Sequence, residues 1–254
     1  MNIRRLAVGK DGCARICFFG DLHIGAKTHD SELVDKVLAK CLSENIYIVG
    51  MGDYCEAGTR ESVGSSLFEQ TSSPQEQLDR IIGLLKPFSA TGLLLGVHGG
   101  NHEERIFKNT GINLGKVIAD NLKTRYLGDA SFNLFMVGGN SFKVFTMHGR
   151  GNSATAPAKL AYVMRMGGNV NSDLFVCGHM HDLIQGETTI QDIDKKKQII
   201  VDRKRKFLIS GSFLSWDTSY AQASGMSPGR LGSPVAIFNG DSNKKEININ
   251  FLEK

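Results

Sequence analysis

Asp21 and His23 stand two residues apart, and so do His179 and His181 near the other end of the chain. At an extended strand end this spacing points two side chains the same way, so each pair can share a cation. Three further blocks carry similar groups: Gly52-Asp53-Tyr54-Cys55-Glu56, Gly100-Asn101-His102-Glu103 and Met147-His148-Gly149. Five of the seven histidines fall in these blocks, which argues for one shared site. Mixed carboxylate and imidazole donors suit Mn²⁺, Fe²⁺ or Zn²⁺ better than Mg²⁺ or Ca²⁺, which prefer all-oxygen shells. So many donors would crowd one cation. Two cations need a bridging ligand, and Asp53 is the natural candidate, because a carboxylate offers two oxygens and a compensating charge. Asn101 adds a neutral amide oxygen and His148 a further imidazole. Two ions about 3.5–4 Å apart can activate a bridging hydroxide for in-line displacement at phosphorus, which is phosphoester hydrolysis.

The blocks come at or just after short apolar runs: Arg15 to Phe19, Ile46 to Val49, Leu93 to Val97, Phe142 to Met147 and Leu174 to Cys177, with a further run from Phe207 to Ser210. These read as strands buried on both faces. Between the first two, Leu33, Val34, Val37, Leu38 and Leu42 recur at helical spacing behind Asp30 or Ser31 as a cap. Ser73-Pro74-Gln75-Glu76 opens another helix in capping-box form, with Pro87 near its end. Strand, helix, strand, helix, strand is the α/β order that places loops and chemistry at the carboxyl edge of a sheet. Glu187 to Ile193 and Gln198 to Val201 predict a hairpin with its tip at Asp194-Lys195-Lys196-Lys197, and Arg203 to Lys206 then lead into the next strand. Residues 57–72 and 211–234 are irregular and are expected to flank the site. With no repeat and no clear linker, residues 1–254 are read as one domain.

In order, and from Phe18 to about His181, the motifs Asp21-Leu22-His23, Gly52-Asp53, Gly100-Asn101-His102-Glu103, His148-Gly149 and Gly178-His179-Met180-His181 resemble the calcineurin-like metallophosphoesterase family. The resemblance implies a four-layer αββα sandwich with two central mixed β-sheets and the metal site at the carboxyl ends of the strands. It implies Asp21, His23 and His181 on one metal, Asn101, His148 and His179 on the other, and Asp53 between them. His102 would contact phosphate and protonate the leaving oxygen. Glu56 and Glu103 depart from the family pattern, which carries Asp or Asn at the first position and often Asp at the second. Both keep an acidic group able to orient a neighbouring histidine.

Other residues read more plainly. His98 and His29 fit no block, and His98 is expected to be a satisfied core histidine. Cys55 is expected to be a small buried hydrophobe. Arg150 and Arg105 could each fork onto a phosphate, with Arg150 the stronger candidate. Trp216 and Tyr220 could stack on a base in a pocket between the metal edge and the two irregular segments.

The bulk properties exclude little but point the same way. A net charge of +4 and a pI near 8.7 are compatible with a phosphorylated substrate and fall short of a dedicated duplex binder. Five cysteines without a C-x-x-C pair suggest neither a disulfide framework nor a zinc ribbon, and a reduced cytoplasmic setting is expected. No apolar stretch approaches the roughly 20 residues of a membrane span. The expected activity is a phosphodiesterase or small nuclease acting on nucleic acid or a nucleotide, with Mn²⁺ as the first choice of two divalent ions and Fe, Zn or Ni as others. The alternatives are a phosphomonoesterase and a non-catalytic, metal-stabilised scaffold.

Overall fold

A computed structural model describes residues 2–60, 62, 70–151, 153–194, 198–217, 220–225 and 227–254. The apolar runs form the middle of two mixed sheets. In the first, β2 (Cys13–Phe19), β3 (Tyr47–Gly50) and β4 (Leu94–Val97) are parallel, and β10 (Gly232–Asn239) and β11 (Ile247–Glu253) add antiparallel strands in the order β11-β10-β2-β3-β4. The second comprises β1 (Asn2–Leu6), β5 (Ala130–Val137), β6 (Asn140–Met147), β7 (Leu174–Cys177), β8 (Leu183–Asp194) and β9 (Ile199–Ser210), in the order β1-β5-β6-β7-β9-β8. There β6, β7 and β9 run parallel, while β5 with β6 and β8 with β9 pair antiparallel.

Strand alternation sorts the side chains into layers. From β2, Ile16 and Phe18 face the space between the sheets, where they join Val49, Phe142, Val144, Leu174 and Val176. Cys17 and Phe19 face the other way, onto α1 (Ser31–Ser43), α2 (Pro74–Ala90) and α4 (Leu114–Asn121). On the far side, Phe175 and Cys177 of β7 pack with Val163 of α5 (Ala156–Gly168). The result is the expected helix, sheet, sheet, helix sandwich. Each fully buried phenylalanine such as Phe18 or Phe19 contributes about 1.5–3 kcal/mol to holding it together.

The helix starts follow the sequence signals. Asp30 accepts from the Leu33 N–H at 3.0 Å, and Ser73 with Glu76 forms the capping box. Leu42 departs from the expected apolar stripe: Cys41 is buried in its place and Leu42 is exposed, one position around the helix. α3 (Asn101–Thr110) buries only Glu103. A short α6 (Tyr220–Ala223) follows, and among the described residues no helix is long and apolar enough to cross a membrane.

The hairpin is present, but its second arm differs from expectation. Arg203 to Lys206 do not connect two strands; they lie inside the single strand β9. Alternation explains why the run can be there. Arg205 points inward and donates to the Gly167, Val170 and Ser172 carbonyls at the end of α5, Arg203 pairs with Asp192 and Asp173, and Lys204 and Lys206 pair with Glu187. The tip residues Lys195–Lys197 lie outside the described residues.

The irregular segment 211–234 ends earlier than expected, since β10 begins at Gly232. Of the segment 57–72, residues 61 and 63–69 lie outside the description. The described ends of both segments border the metal-type blocks: Phe213 N–H donates to the Asp21 carbonyl at 3.0 Å, and Thr71 N–H donates to the carbonyl of Gly25, two residues past His23, at 2.8 Å.

Candidate metal centre

The parallel strands set the site. β2, β3 and β4 end at Phe19, Gly50 and Val97, and β6 and β7 end at Met147 and Cys177. The chemistry-bearing residues come just after these ends, so the carboxyl edges of both sheets bring them together. Among the described residues, three groups of donor atoms converge there, each within 4.8 Å: Asp21, His23, Asp53 and His181; Asp53, His148 and His179; and His23, Glu56 and His102. The first two share Asp53. Asn101 joins the second, with Oδ1 3.0 Å from His148 Nε2.

Close approach of backbones makes this convergence possible. Gly52 has φ +95°, and a Cβ on it would meet Gly99 at 2.8 Å. At Gly100 a Cβ would collide with the Asp53 carboxylate. The conformation of the ligand-type residues was not expected. Asp21, His23, Asp53, His179 and His181 are not extended; all have left-handed backbone, with φ between 48° and 66°. Asp and His tolerate this region better than most residues, yet such conformations cost of order 1–3 kcal/mol each and persist where the surroundings over-determine them. Leu22 and Met180, between the paired residues, are buried in the apolar clusters that face the helices.

Hydrogen bonds fix the imidazoles. A backbone carbonyl can only accept, so His148 carries a proton on Nδ1 toward Met51 O at 2.9 Å and turns Nε2 to the site. That nitrogen faces Asp53 Oδ2 at 3.3 Å and Asn101 Oδ1, both acceptors. His23 Nδ1 is held by Glu56 Oε2 at 3.0 Å, and its Nε2 lies 3.1 Å from His181 Nε2. Asp21 accepts from the His179 N–H with both carboxylate oxygens, at 3.0 and 3.1 Å, and Oδ1 stands 3.4 Å from His181 Nε2. Asp53 Oδ2 and His179 Nδ1 are buried without a hydrogen-bond partner. A cluster of buried acceptors and lone pairs turned toward one another, two of them orphaned, fits divalent cations.

Electrostatics report the same excess of negative charge. Burial would raise the Asp53 carboxyl, but His148, His102 and His23 outweigh it and hold the group well below the usual carboxylate range. Burial opposes charge on His148 too, yet Asp53 and Asp21 lift it to about 10. For His102 burial wins, and the ring is pushed down to about 4.

His102 and the arginines complete the picture. His102 donates from Nδ1 to Glu56 O at 2.9 Å, and its Nε2 lies 4.0 Å from Asp53 Oδ2. Arg105 donates to that Nε2 at 3.1 Å and to Glu56 at 3.0 and 3.2 Å. Arg150 is mostly exposed and pairs with Glu104 at 3.2 Å. Arg105 thus stands against the site, and Arg150 stands at its rim.

Glu56 orients a histidine, as expected of it. Glu103 does not. It accepts from the backbone N–H groups of Asp53, Tyr54, Cys55 and Gly100 at 2.8–3.0 Å and so clamps the loop that carries Asp53. Its place three residues after a glycine helix cap was the available signal, since a glutamate there reaches back to backbone donors. His98 is a satisfied core histidine, bonded to Gly128 O at 2.7 Å and Thr146 Oγ1 at 2.8 Å, and Cys55 is buried.

A cavity of about 370 Å³ opens beside the cluster, on the side of Asn101 and His148. None of the described residues of the two irregular segments lines it. Trp216 is half-buried, and the Tyr220 side chain lies outside the described residues.

No protein-family model matches the chain, and no curated protein matches it. Solved structures similar to it include a conserved uncharacterized protein of Streptococcus pneumoniae TIGR4, a predicted phosphoesterase, at 12% identity, covering 94% of this chain and 90% of that one with a TM-score of 0.39. Vps29 of Entamoeba histolytica, complexed with Zn²⁺, is 14% identical, with coverages of 94% and 99% and a TM-score of 0.39. GAP50 of Plasmodium is 14% identical, with coverages of 94% and 84% and a TM-score of 0.42. These likenesses are distant, and the chemistry rests on the residues themselves.

Proposed function

We propose that this chain is a dimetal-dependent phosphoester hydrolase, a phosphodiesterase acting on a nucleic acid or a nucleotide. The observation that carries the reading is Asp53 Oδ2: buried, without a hydrogen-bond partner, and common to two groups of converging donors. Asp21, His23 and His181 would hold one cation, Asn101, His148 and His179 a second, and Asp53 both. The order of the motifs, similar to that of calcineurin-like metallophosphoesterases, supports this division. When bound, the ions would supply Lewis acidity at a phosphoryl group.

The chain's own groups do the rest. Glu56 holds the His23 ring through Nδ1, and Met51 O holds the His148 ring in the same way, so both present Nε2. Glu103 keeps the Asp53 loop rigid. His102 keeps its proton on Nδ1 and offers Nε2 as an acceptor. To protonate a leaving oxygen, Nε2 must first take a proton from solvent, and the Arg105 hydrogen bond to it must break. The Arg105 donor that leaves Nε2 can then turn to a phosphate oxygen.

Purified protein with Mn²⁺ is expected to hydrolyse bis-4-nitrophenyl phosphate faster than 4-nitrophenyl phosphate. A reversed preference would make it a monoesterase, and no turnover with Mn²⁺, Fe²⁺, Zn²⁺ or Ni²⁺ would make it a scaffold.

A further inference from the structure

The cavity beside Asn101 and His148 has a chemistry of its own. Gly99, Gly100 and Gly149 give it a floor without side chains, and Phe107, Tyr126, Tyr162 and Met166 line it. The Phe107 ring is 50% exposed, on a helix whose only buried residue is Glu103, so core packing does not account for it. Tyr126 is fixed by Asn113, whose amide donates to its hydroxyl at 3.3 Å, and Tyr162 is fixed by donating to the Arg150 carbonyl at 2.7 Å. Two held aromatic rings, an exposed one and a thioether give the slot an apolar side, while Asn101, His148, Glu104, Asp129 and Arg150 give it a polar one, and small-molecule sites combine the two in this way.

Charge narrows the ligand. The lining contributes the carboxylates of Glu103, Glu104 and Asp129 against the guanidinium of Arg150; Glu103 is taken up by backbone N–H groups and Glu104 pairs with Arg150. A polynucleotide would bring further phosphates to this acidic rim and be repelled, because its binding depends on clustered cations. Carboxylates do accept from the amino groups of adenine or cytosine. A volume of about 370 Å³ lies at the small end of ligand sites, which span about 300–1,000 Å³.

We infer that this cavity is the base subsite of a small nucleotide ester: an amino-bearing base lies among Phe107, Tyr126 and Met166, and its phosphate reaches the Asn101 and His148 edge. The inference rests on the phosphodiesterase reading for the place of the phosphate. Its test uses two esters with Mn²⁺, adenosine 5′-(4-nitrophenyl phosphate) and methyl 4-nitrophenyl phosphate, and it also titrates the metal-free protein with adenosine, which has no phosphate. The expected wild-type kcat/KM favours the nucleoside ester at least tenfold. Phe107→Ala and Met166→Trp should cut that ratio at least fivefold, while leaving the methyl ester within twofold of wild type. Phe107→Ala removes a half-exposed ring and keeps the fold, so the test does not hang on Met166→Trp. A wild-type ratio near one, or a ratio unchanged in Phe107→Ala, overturns the base subsite and leaves the hydrolase standing. If neither ester turns over, the hydrolase reading fails and adenosine decides the cavity. Binding weakened at least fivefold in Phe107→Ala upholds it, and no binding, or equal binding, overturns it.

Discussion

Asp53 Oδ2 lies 3.3 Å from His148 Nε2, yet it is a buried oxygen with no hydrogen-bond partner. The ring's Nδ1 proton is given to Met51 O, so the nitrogen facing Asp53 has only a lone pair to offer unless it takes up a second proton. Two acceptors held face to face inside a protein repel unless a proton or a cation comes between them. The rise of His148 to about 10 is the proton's answer to that arrangement, and a divalent ion is the other.

Asp53→Asn should therefore uncouple metal from stability. At a Mn²⁺ concentration about a hundred times its Kd, a site present only in the folded state adds about 2.7 kcal/mol. Thermal melts with and without Mn²⁺ should show that gain in wild type and lose at least half of it in Asp53→Asn. An equal gain in both proteins would remove Asp53 from the metal site.

His102→Ala separates binding from chemistry. Its ring contacts Glu56 and Arg105 and belongs to neither of the two donor groups that share Asp53. Turnover should fall by about 100-fold or more, the usual contribution of a positioned acid or base. Metal content should not change. Loss of an ion would make His102 a ligand.

Glu103 carries a structural prediction. Its removal in Glu103→Ala strands the buried N–H groups of Asp53, Tyr54 and Cys55, at about 1–3 kcal/mol for each left unsatisfied. Urea unfolding should show a loss of about 3 kcal/mol or more. A loss under 1 kcal/mol would mean that the clamp contributes little.

Burial pushes His98 down to about 4, whereas the unfolded chain titrates near 6.5. Between those values the unfolded state binds the extra proton, so stability rises with pH. The contribution is fully present above pH 6.5 and lost as pH falls toward 4, amounting to about 3 kcal/mol at most. Metal-free urea melts across this window should show a shallower slope for His98→Gln than for wild type. Parallel slopes would contradict the assignment.

How much of this was legible in the sequence depended on the kind of signal. The strands before Asp21, Asp53, Asn101, His148 and His179 were readable because strands buried on both faces leave continuous apolar runs. The caps at Asp30 and Ser73 were readable because capping is local. The left-handed backbone at Asp21 and His179 left no local trace, since it is imposed by contacts between loops far apart in sequence. The contact of Arg105 with His102 was not legible for a related reason. Which arginine meets His102 depends on the turn of α3, where positions three apart share a face. The basic run Arg203 to Lys206 misled because strand alternation, which gives each cation its own partner, shows only once the pairing with β8 is known.

The central claim is that two cations share Asp53, and calorimetric titration of metal-stripped protein with Mn²⁺ tests it most directly. The account predicts two ions per chain in wild type and fewer than two in Asp53→Asn. One ion per chain in wild type, or none, would contradict it.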